Sequence, residues 1–110
     1  MTDDEYCQVV TTAESRDAAE ALSRGVVAAR LAACGQVAGP VTSSYWWDGQ
    51  LETAQEWRIT FKTTVRSYPA LEAHIRARHR YDVPEVLCSP VSAGNPDYLA
   101  WLSAETRQPS

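Results

Sequence analysis

The sequence predicts an α+β protein in which helices cover one face of a four-stranded antiparallel sheet. Strand-like and helix-like segments follow one another in the order strand, helix, strand, strand, helix, strand. Residues 51–63 alternate strictly between two sets of side chains, as a strand with one buried face does. The dipeptide Asp48-Gly49 favours a tight turn, and it stands between two strand-like runs. These two runs are therefore expected to form a hairpin.

The first strand and the first helix are predicted from residues 6–12 and 13–35. The first run is rich in β-branched and aromatic residues, whereas the second repeats its apolar positions at helical spacing. Ser15 is the expected N-cap of the helix, and Gly35 is expected just beyond its C-terminal end. Gly25, in the middle of the helix, is expected to permit a close approach to the sheet.

The hairpin strands are predicted from residues 36–47 and 51–63, with a bend or bulge at Gly39-Pro40. The second main helix is predicted from Ser67, its expected N-cap, to Arg80. It is followed by a fourth strand, and a short final helix begins after the capping pair Asn95-Pro96; these two elements are predicted over residues 85–91 and 97–105. The element order is that of the ferredoxin-like fold. Residues 1–110 are expected to form a single domain whose ordered core spans about 6–104.

The hairpin turn determines which face each aromatic side chain occupies. Trp46 is paired with Leu51 on the helix-covered face, and it is expected in the core. Tyr45 and Trp47 point to the opposite face, which is otherwise polar. The hairpin arms are about 40 Å long, whereas the first helix covers only about 28 Å, so the hairpin tip extends beyond the helices. Another copy of the chain is expected to cover this tip, because an isolated two-stranded ribbon is marginally stable in water.

Composition and charge restrict the class of protein. The hydrophobic fraction of 45% and the charged fraction of 22% are typical of globular domains, and the net charge of −4 disfavours a nucleic-acid partner. No apolar run approaches the length of about 20 residues that a membrane span needs, and the acidic N-terminus does not resemble a signal peptide. A cytoplasmic protein without a membrane partner is therefore expected. The three cysteines lie in apolar settings and are expected as buried thiols rather than as disulfides or zinc ligands.

Several segments together resemble the CutA, or divalent-cation tolerance, proteins: "RLAACG", "SYWWDGQLE", "FKTT", "HRYDVPEVL" and "NPDYLAWL". The resemblance runs from about Val9 to Leu102. It implies a ferredoxin-like fold and a tight homotrimer similar in architecture to the PII signalling proteins, with the hairpin reaching onto a neighbouring subunit. The side chains expected at the trimer interface come from the hairpin and the last helix: Tyr45, Trp46, Trp47, Leu51, Tyr98 and Trp101.

The resemblance also implies a role in tolerance to copper and other divalent ions, without an enzymatic reaction. The residues that match the family pattern as metal ligands are His79 and Glu85, and imidazole with carboxylate suits Cu²⁺ or Zn²⁺. Two ligands are too few for tight binding, so the expected site is weak unless Asp82, His74 or a neighbouring chain contributes. Some family members carry a cysteine at the end of the first strand, where this chain has Thr11. The alternative is that His79 only caps the second helix and Glu85 only orders the loop that follows.

A second hypothesis concerns a cleft at a subunit boundary. Tyr45, Trp47, Glu56 and Lys62 are expected on the open face of the sheet, and Tyr81 and Glu85 could approach them across a subunit boundary. A cleft lined by aromatic rings, a lysine and carboxylates would suit a small ligand, as in a PII-like sensor. A polar interface without a ligand, in a trimer that modulates a partner, is the remaining alternative.

Overall fold

The computed structural model describes residues 5–106, which form a four-stranded antiparallel sheet and three helices. The elements follow in the order β1 (Tyr6–Ala13), α1 (Arg16–Ala28), β2 (Cys34–Trp47), β3 (Gln50–Thr64), α2 (Tyr68–Arg78), β4 (Val86–Val91) and α3 (Pro96–Glu105). The strand order in the sheet is β2-β3-β1-β4, so the ferredoxin-like fold is confirmed. Within the described residues, no helix is long and apolar enough to cross a membrane.

The core lies between the sheet and the pair α1 and α2. Buried side chains of β1, β3, α1 and α2 form one cluster, whose larger members are Val9, Val26, Ile59, Phe61, Leu71 and Ile75. All six have no measurable exposure. Burying a side chain of this size stabilises the fold by about 1.5–3 kcal/mol, so this cluster holds the two helices on the same face of the sheet.

Helix α1 begins as predicted but ends earlier. Ser15 caps it by accepting a hydrogen bond from the backbone N–H of Ala18 at 3.0 Å. The helix stops at Ala28 because Arg30 takes a left-handed conformation (φ 64°), and the N–H groups of Arg30 and Leu31 bond back to the carbonyls of Val27 and Val26. This is a Schellman ending made without glycine. The prediction that the helix continues to residue 35 and ends at a glycine was wrong.

The two glycines of this region have different roles from those predicted. Gly35 lies in β2, where an added Cβ would contact Ser23 Oγ and would lie 3.1 Å from Cε1 of Phe61. Gly35, rather than Gly25, therefore permits the close approach of α1 to the sheet. Gly25 is exposed, and its added Cβ would meet only Nε2 of His74 at 4.0 Å.

Helix α2 is entered through a 3-10 turn, Val65–Ser67, that the sequence pattern does not reveal. Thr64 caps this turn: its hydroxyl accepts from the N–H of Ser67 at 3.2 Å. Ser67 stands at the N-cap position of α2 but makes no side-chain capping bond there, because its hydroxyl is buried and accepts from Thr64 at 3.0 Å. The predicted capping role of Ser67 was therefore wrong, and the helix ends at Arg78 rather than Arg80.

The hairpin register is confirmed, but the expected burial of Trp46 is not. Trp46 pairs with Leu51, and Tyr45 pairs with Glu52, as the two-residue turn predicts. Trp46 is nevertheless 72% exposed and Leu51 64% exposed. The assignment of Trp46 to the core was wrong because the helices end before the hairpin tip, in a molecule that is 44 Å long and 25 × 24 Å across. Tyr45 and Trp47 are exposed as well.

A β-bulge in β2 separates the base of the hairpin from its tip. Ala38 pairs with Arg58, and the next paired residue of β2, Val41, lies opposite Glu56. Two residues, Gly39 and Pro40, thus occupy the space of one, which confirms the predicted irregularity. An added Cβ at Gly39 would lie 2.6 Å from Cδ1 of Trp57, so the bulge is packed directly against that indole.

Helix α3 ties the last described residues to the first strand and to the end of α1. Its N-cap is Asn95, as predicted, whose side chain accepts from the N–H of Asp97 at 3.0 Å. Ser103 Oγ and the Tyr6 hydroxyl lie 2.7 Å apart in a hydrogen bond, and Leu102 is buried. The partly exposed rings of Tyr98 and Trp101 contact one another in a tilted arrangement, with centroids 5.5 Å apart.

The cysteines do not share one environment. Cys7 is fully buried and Cys34 half-buried, but Cys88 is exposed on β4, at the edge of the sheet. The expectation of three buried thiols is therefore confirmed only for Cys7. The apolar neighbours of Cys88 in sequence do not enclose it, because an edge strand has a neighbouring strand on one side only.

Candidate functional site

A cleft of about 750 Å³ lies between the hairpin and the loop that follows α2. Residues of β2 and β3 form one wall, and loop 80–85 forms the other. The lining residues are Thr12, Ser43, Ser44, Tyr45, Trp47, Glu56, Arg80, Tyr81, Asp82, Val83, Pro84 and Glu85. The cleft thus combines aromatic rings with three carboxylates and one guanidinium group, which is the chemistry of a polar ligand site or of a subunit interface.

Tyr81 connects the two walls of this cleft. Its hydroxyl donates a hydrogen bond to Oε2 of Glu56, at 3.1 Å, although the two residues are on the loop and on β3. Burial, then the hydrogen bond to Glu56 and the negative charge of that carboxylate, raise the pKa of Tyr81 to about 12. The phenol is therefore neutral at physiological pH, and it holds Glu56 in place as a hydrogen-bond donor.

His79 contacts both the backbone and the ring of Tyr81 and so positions that residue. Its Nε2 lies 2.5 Å from the backbone carbonyl of Thr12, and its Nδ1 accepts from the backbone N–H of Tyr81 at 3.1 Å. A carbonyl can only accept and an amide N–H can only donate, so these partners define a neutral imidazole with its hydrogen on Nε2. The imidazole also packs on the ring of Tyr81, with centroids 4.6 Å apart. His79 thus joins β1 to the loop that forms one wall of the cleft.

His79 and Glu85, the two metal ligands expected from the sequence, lie in different hollows. Glu85 and Asp82 line the cleft, whereas His79 lines a smaller hollow of about 260 Å³ between the N-terminal part of α1 and the end of α2. Arg80 borders both hollows, and its Nε lies 3.1 Å from Oε1 of Glu14. His74, the other imidazole, lies on α2 beside Gly25 and contributes to neither hollow.

The ligands for a complete cation site do not converge within one chain. Among residues 5–106, no cluster of three or more His, Cys, Asp or Glu side chains has the geometry to hold a metal ion. Both nitrogens of His79 already have protein partners, so a cation could bind Nδ1 only if the Tyr81 N–H withdrew. Thr11 is fully buried in β1, and its hydroxyl has no hydrogen-bond partner. The described part of one chain therefore does not offer a finished cation site at the expected residues.

The other predicted site residues divide between the cleft and the rest of the surface. Tyr45, Trp47, Glu56 and Tyr81 all line the cleft of a single chain, and no neighbouring chain is needed to bring Tyr81 to Glu56. Lys62 does not line it: it lies on β3 opposite Gln8 and Cys34, six residues from Glu56. Tyr98 and Trp101 are on α3, and Trp101 lines a separate hollow with Ala28 and Arg30 at the end of α1.

Several residues that line the cleft were not predicted from the sequence, among them Ser43 and Thr12. Ser43 lies two residues before Tyr45 on β2, so the alternation of the strand could have identified it. The carbonyl of Thr12 had no signal in the sequence, because every residue carries a carbonyl and only the fold brings this one to His79.

Comparisons with known proteins agree with this fold over nearly the whole described chain. The family model described as "CutA1 divalent ion tolerance protein" matches residues 7–105. The chain is 37% identical over 100 residues to "Protein CutA 1, chloroplastic" of Oryza sativa subsp. japonica, covering 91% of this chain and 56% of that protein. The chain thus spans little more than half the length of this rice relative.

Bacterial relatives match along most of their own length. A "Divalent-cation tolerance protein CutA" of Escherichia coli is 40% identical over 99 residues, covering 90% of this chain and 88% of that protein. The solved structure of a "Divalent cation tolerance protein (Cut A1)" from Thermus thermophilus superposes with a TM-score of 0.90 at 35% identity, covering 93% of this chain and 99% of the other. The relatives bear the names of tolerance proteins rather than of enzymes.

Proposed function

Because this chain belongs to the CutA1 divalent ion tolerance protein family, we propose that it acts in divalent-cation tolerance as a homotrimer. Relatives that share its fold and up to 40% of its residues carry that role in their names. In this proposal the chain catalyses no reaction. It binds Cu²⁺ or Zn²⁺ weakly and reversibly, through residues of the loop after α2.

The homotrimer is supported by the exposed tip of the hairpin. Trp46, Trp47 and Leu51 are all at least half exposed, at an end of the molecule that its own helices do not reach. Contiguous exposed aromatic and aliphatic side chains of this size mark protein interfaces. A second and a third copy of the chain would bury them and would also place new side chains beside the cleft.

Weak cation binding is the single function that the 79–85 loop supports best. The loop brings Glu85 and Asp82 to the cleft and holds His79 directly behind Tyr81. We propose Glu85 and His79 as the ligands of one chain, with the remaining ligands supplied by a neighbouring subunit. Binding at Nδ1 of His79 would require loss of the hydrogen bond from Tyr81, and this requirement accounts for a low affinity.

Isothermal titration calorimetry with Cu²⁺ and with Zn²⁺ tests this proposal. His79→Ala and Glu85→Ala are each expected to weaken binding by at least about tenfold, as ligand losses do. His74→Ala is the matched control, since it removes an imidazole of α2 that lies outside the cleft. Equal affinities in the wild type, His79→Ala and Glu85→Ala would exclude these residues as ligands.

A second candidate function is a PII-like sensor of a small molecule. The observation that favours it is the cleft itself, because about 750 Å³ lies within the range of ligand sites and the lining mixes aromatic and charged groups. A thermal-shift screen of nucleotides and metabolites would test it, since a ligand that binds only the folded state raises its stability. Shifts that Glu56→Gln abolishes while the trimer persists would favour the sensor over the cation binder, because Glu56 lines the cleft and is not a proposed cation ligand.

A further inference from the structure

We propose that Cys7 and Cys88 form a second cation site, a two-thiolate site for a soft ion such as Cu⁺, on the helix-covered side of the sheet. Neither residue lines the cleft or the hollow beside it. The site is therefore independent of His79 and Glu85, and it stands or falls separately from the proposed function above.

The strand register brings the two sulfurs together. Cys7 of β1 pairs with Pro90 of β4, and Cys88 of β4 pairs with Val9 of β1. The two cysteines are thus diagonal neighbours, two positions apart along one face of an antiparallel pair. That face is the buried one, because Val9 belongs to the core cluster. Both side chains therefore project to the same side of the β1–β4 pair.

The spacing favours a bridging ion over a disulfide. Diagonal neighbours in a sheet have Cα atoms about 7–8 Å apart. A disulfide needs about 4.4–6.8 Å, and a longer separation requires movement of the backbone. An ion between the two sulfurs adds the length of two metal–sulfur bonds, so it can span this separation without moving β1 or β4. Thiolate ligands select soft ions, of which Cu⁺ is the biological example.

One cysteine of the proposed site is shielded from solvent and the other is accessible to it. Cys7 is fully buried, whereas Cys88 is exposed, so an ion can reach the pair from the side of β4. The Tyr68 hydroxyl lies within electrostatic range of both sulfurs and donates to Oε2 of Glu72 at 3.2 Å. Burial, followed by the neighbouring Cys88, raises the pKa of Cys7 to about 12. Binding one Cu⁺ as a bis-thiolate releases two protons and leaves the site with one net negative charge.

Anaerobic titration of the reduced protein with Cu⁺, in competition with a chromophoric Cu⁺ chelator, tests the proposal. One high-affinity Cu⁺ per chain is expected in the wild type. Cys88→Ser is expected to weaken this binding by more than about tenfold, because loss of a ligand exceeds the 10–100-fold effect of changing an outer partner. Cys34→Ser is the matched control, since Cys34 lies on β2, at the opposite edge of the sheet from β4.

Cys88 is the informative position because an exposed serine there should not prevent folding, whereas a substitution at the buried Cys7 could. Retention of the fold is checked by circular dichroism of each variant. Equal Cu⁺ affinity in the wild type and Cys88→Ser would overturn the proposal, as would equal losses in Cys88→Ser and Cys34→Ser. His79→Ala is expected to bind Cu⁺ like the wild type; a loss there would assign Cu⁺ to the 79–85 loop instead and overturn the two-thiolate site.

Discussion

The hydroxyl of Tyr81 and the carboxylate of Glu56 join the loop after α2 to the middle of the hairpin by a hydrogen bond of 3.1 Å. We predict that Tyr81→Phe lowers the free energy of unfolding by about 1.5–3 kcal/mol, because a half-buried carboxylate loses its donor. Urea unfolding measures this change. Tyr45→Phe, in the same cleft, is the control and should have little effect. An unchanged stability of Tyr81→Phe would show that water replaces the phenol without loss.

The same phenol predicts a loss of stability at high pH. Its folded pKa of about 12 lies above the value of 10.0 for an unperturbed tyrosine. The folded state therefore holds the proton more tightly, and its contribution is complete below pH 10 and disappears as the pH rises towards 12. Cys7 and Tyr68, whose pKa values are also raised, act in the same direction. The difference in unfolding free energy between wild type and Tyr81→Phe should shrink over this range; a constant difference would contradict the assignment.

Two glycine substitutions should change the free energy of unfolding in opposite directions. Gly35→Ala is predicted to destabilise the protein by about 1–3 kcal/mol, since the new methyl group would overlap Ser23 and press on Phe61. Gly25→Ala should instead stabilise it by about 0.5–1 kcal/mol, because an exposed helical site gains helix propensity and meets nothing closer than 4.0 Å. Thermal unfolding of both variants in parallel distinguishes them. Similar shifts of the two melting temperatures would mean that α1 is not closely packed on Gly35.

Buried threonines offer a second matched pair. The Thr11 hydroxyl is buried without a partner, so Thr11→Val should raise the free energy of unfolding by about 1 kcal/mol. The Thr63 hydroxyl donates to the carbonyl of Leu31 at 2.7 Å, and Thr63→Val should lower it by a similar amount. Chemical denaturation measures both. A loss of stability in Thr11→Val would reveal a partner for that hydroxyl, such as a buried water.

The two tryptophans of the hairpin tip should behave alike. Both are at least half exposed in the single chain, so Trp46→Ala and Trp47→Ala are predicted to weaken the proposed trimer and to change the stability of the isolated chain little. Each loss should exceed about 1 kcal/mol of association free energy if the residue is central to the interface. Sedimentation equilibrium measures the mass as a function of concentration. Val83→Ala, at a comparably exposed site outside the hairpin, is the control. Equal masses for all three variants would show that the hairpin tip is not part of the interface.

Much of this fold was accessible from the sequence because its signals are local. The alternation of β3 and the Asp48-Gly49 turn predicted the hairpin register, and the order of the elements predicted the sheet. The end of α1 was not predictable in this way, since Arg30 adopts a left-handed conformation that is usual for glycine. The exposure of Trp46 was missed for another reason: periodicity identifies the face of a strand but not how far the helices extend over it.

The candidate site was predicted only in part, because only some of its features have local signals in the sequence. Tyr45, Trp47, Glu56 and Tyr81 were named from side-chain chemistry and strand alternation, and they meet in one cleft. The arrangement of His79 between the carbonyl of Thr12 and the N–H of Tyr81 depends on backbone groups that no side-chain pattern marks. The position of Lys62 outside the cleft reflects distance along β3, which alternation alone does not measure.

The bulge at Gly39 and Pro40 determines which residues of β2 face the helices and which face the cleft. On the N-terminal side of the bulge, the odd-numbered Val37 pairs with the core residue Ile59. Beyond the bulge, the even-numbered Trp46 pairs with Leu51 on that same face of the sheet. If Gly39 and Pro40 instead paired one for one with β3, Trp46 would lie opposite Gln50 on the cleft face, and Tyr45 would lie opposite Leu51 on the helix-covered face. The aromatic lining of the cleft is thus encoded by one inserted position, about 20 Å from the tryptophans that it orients.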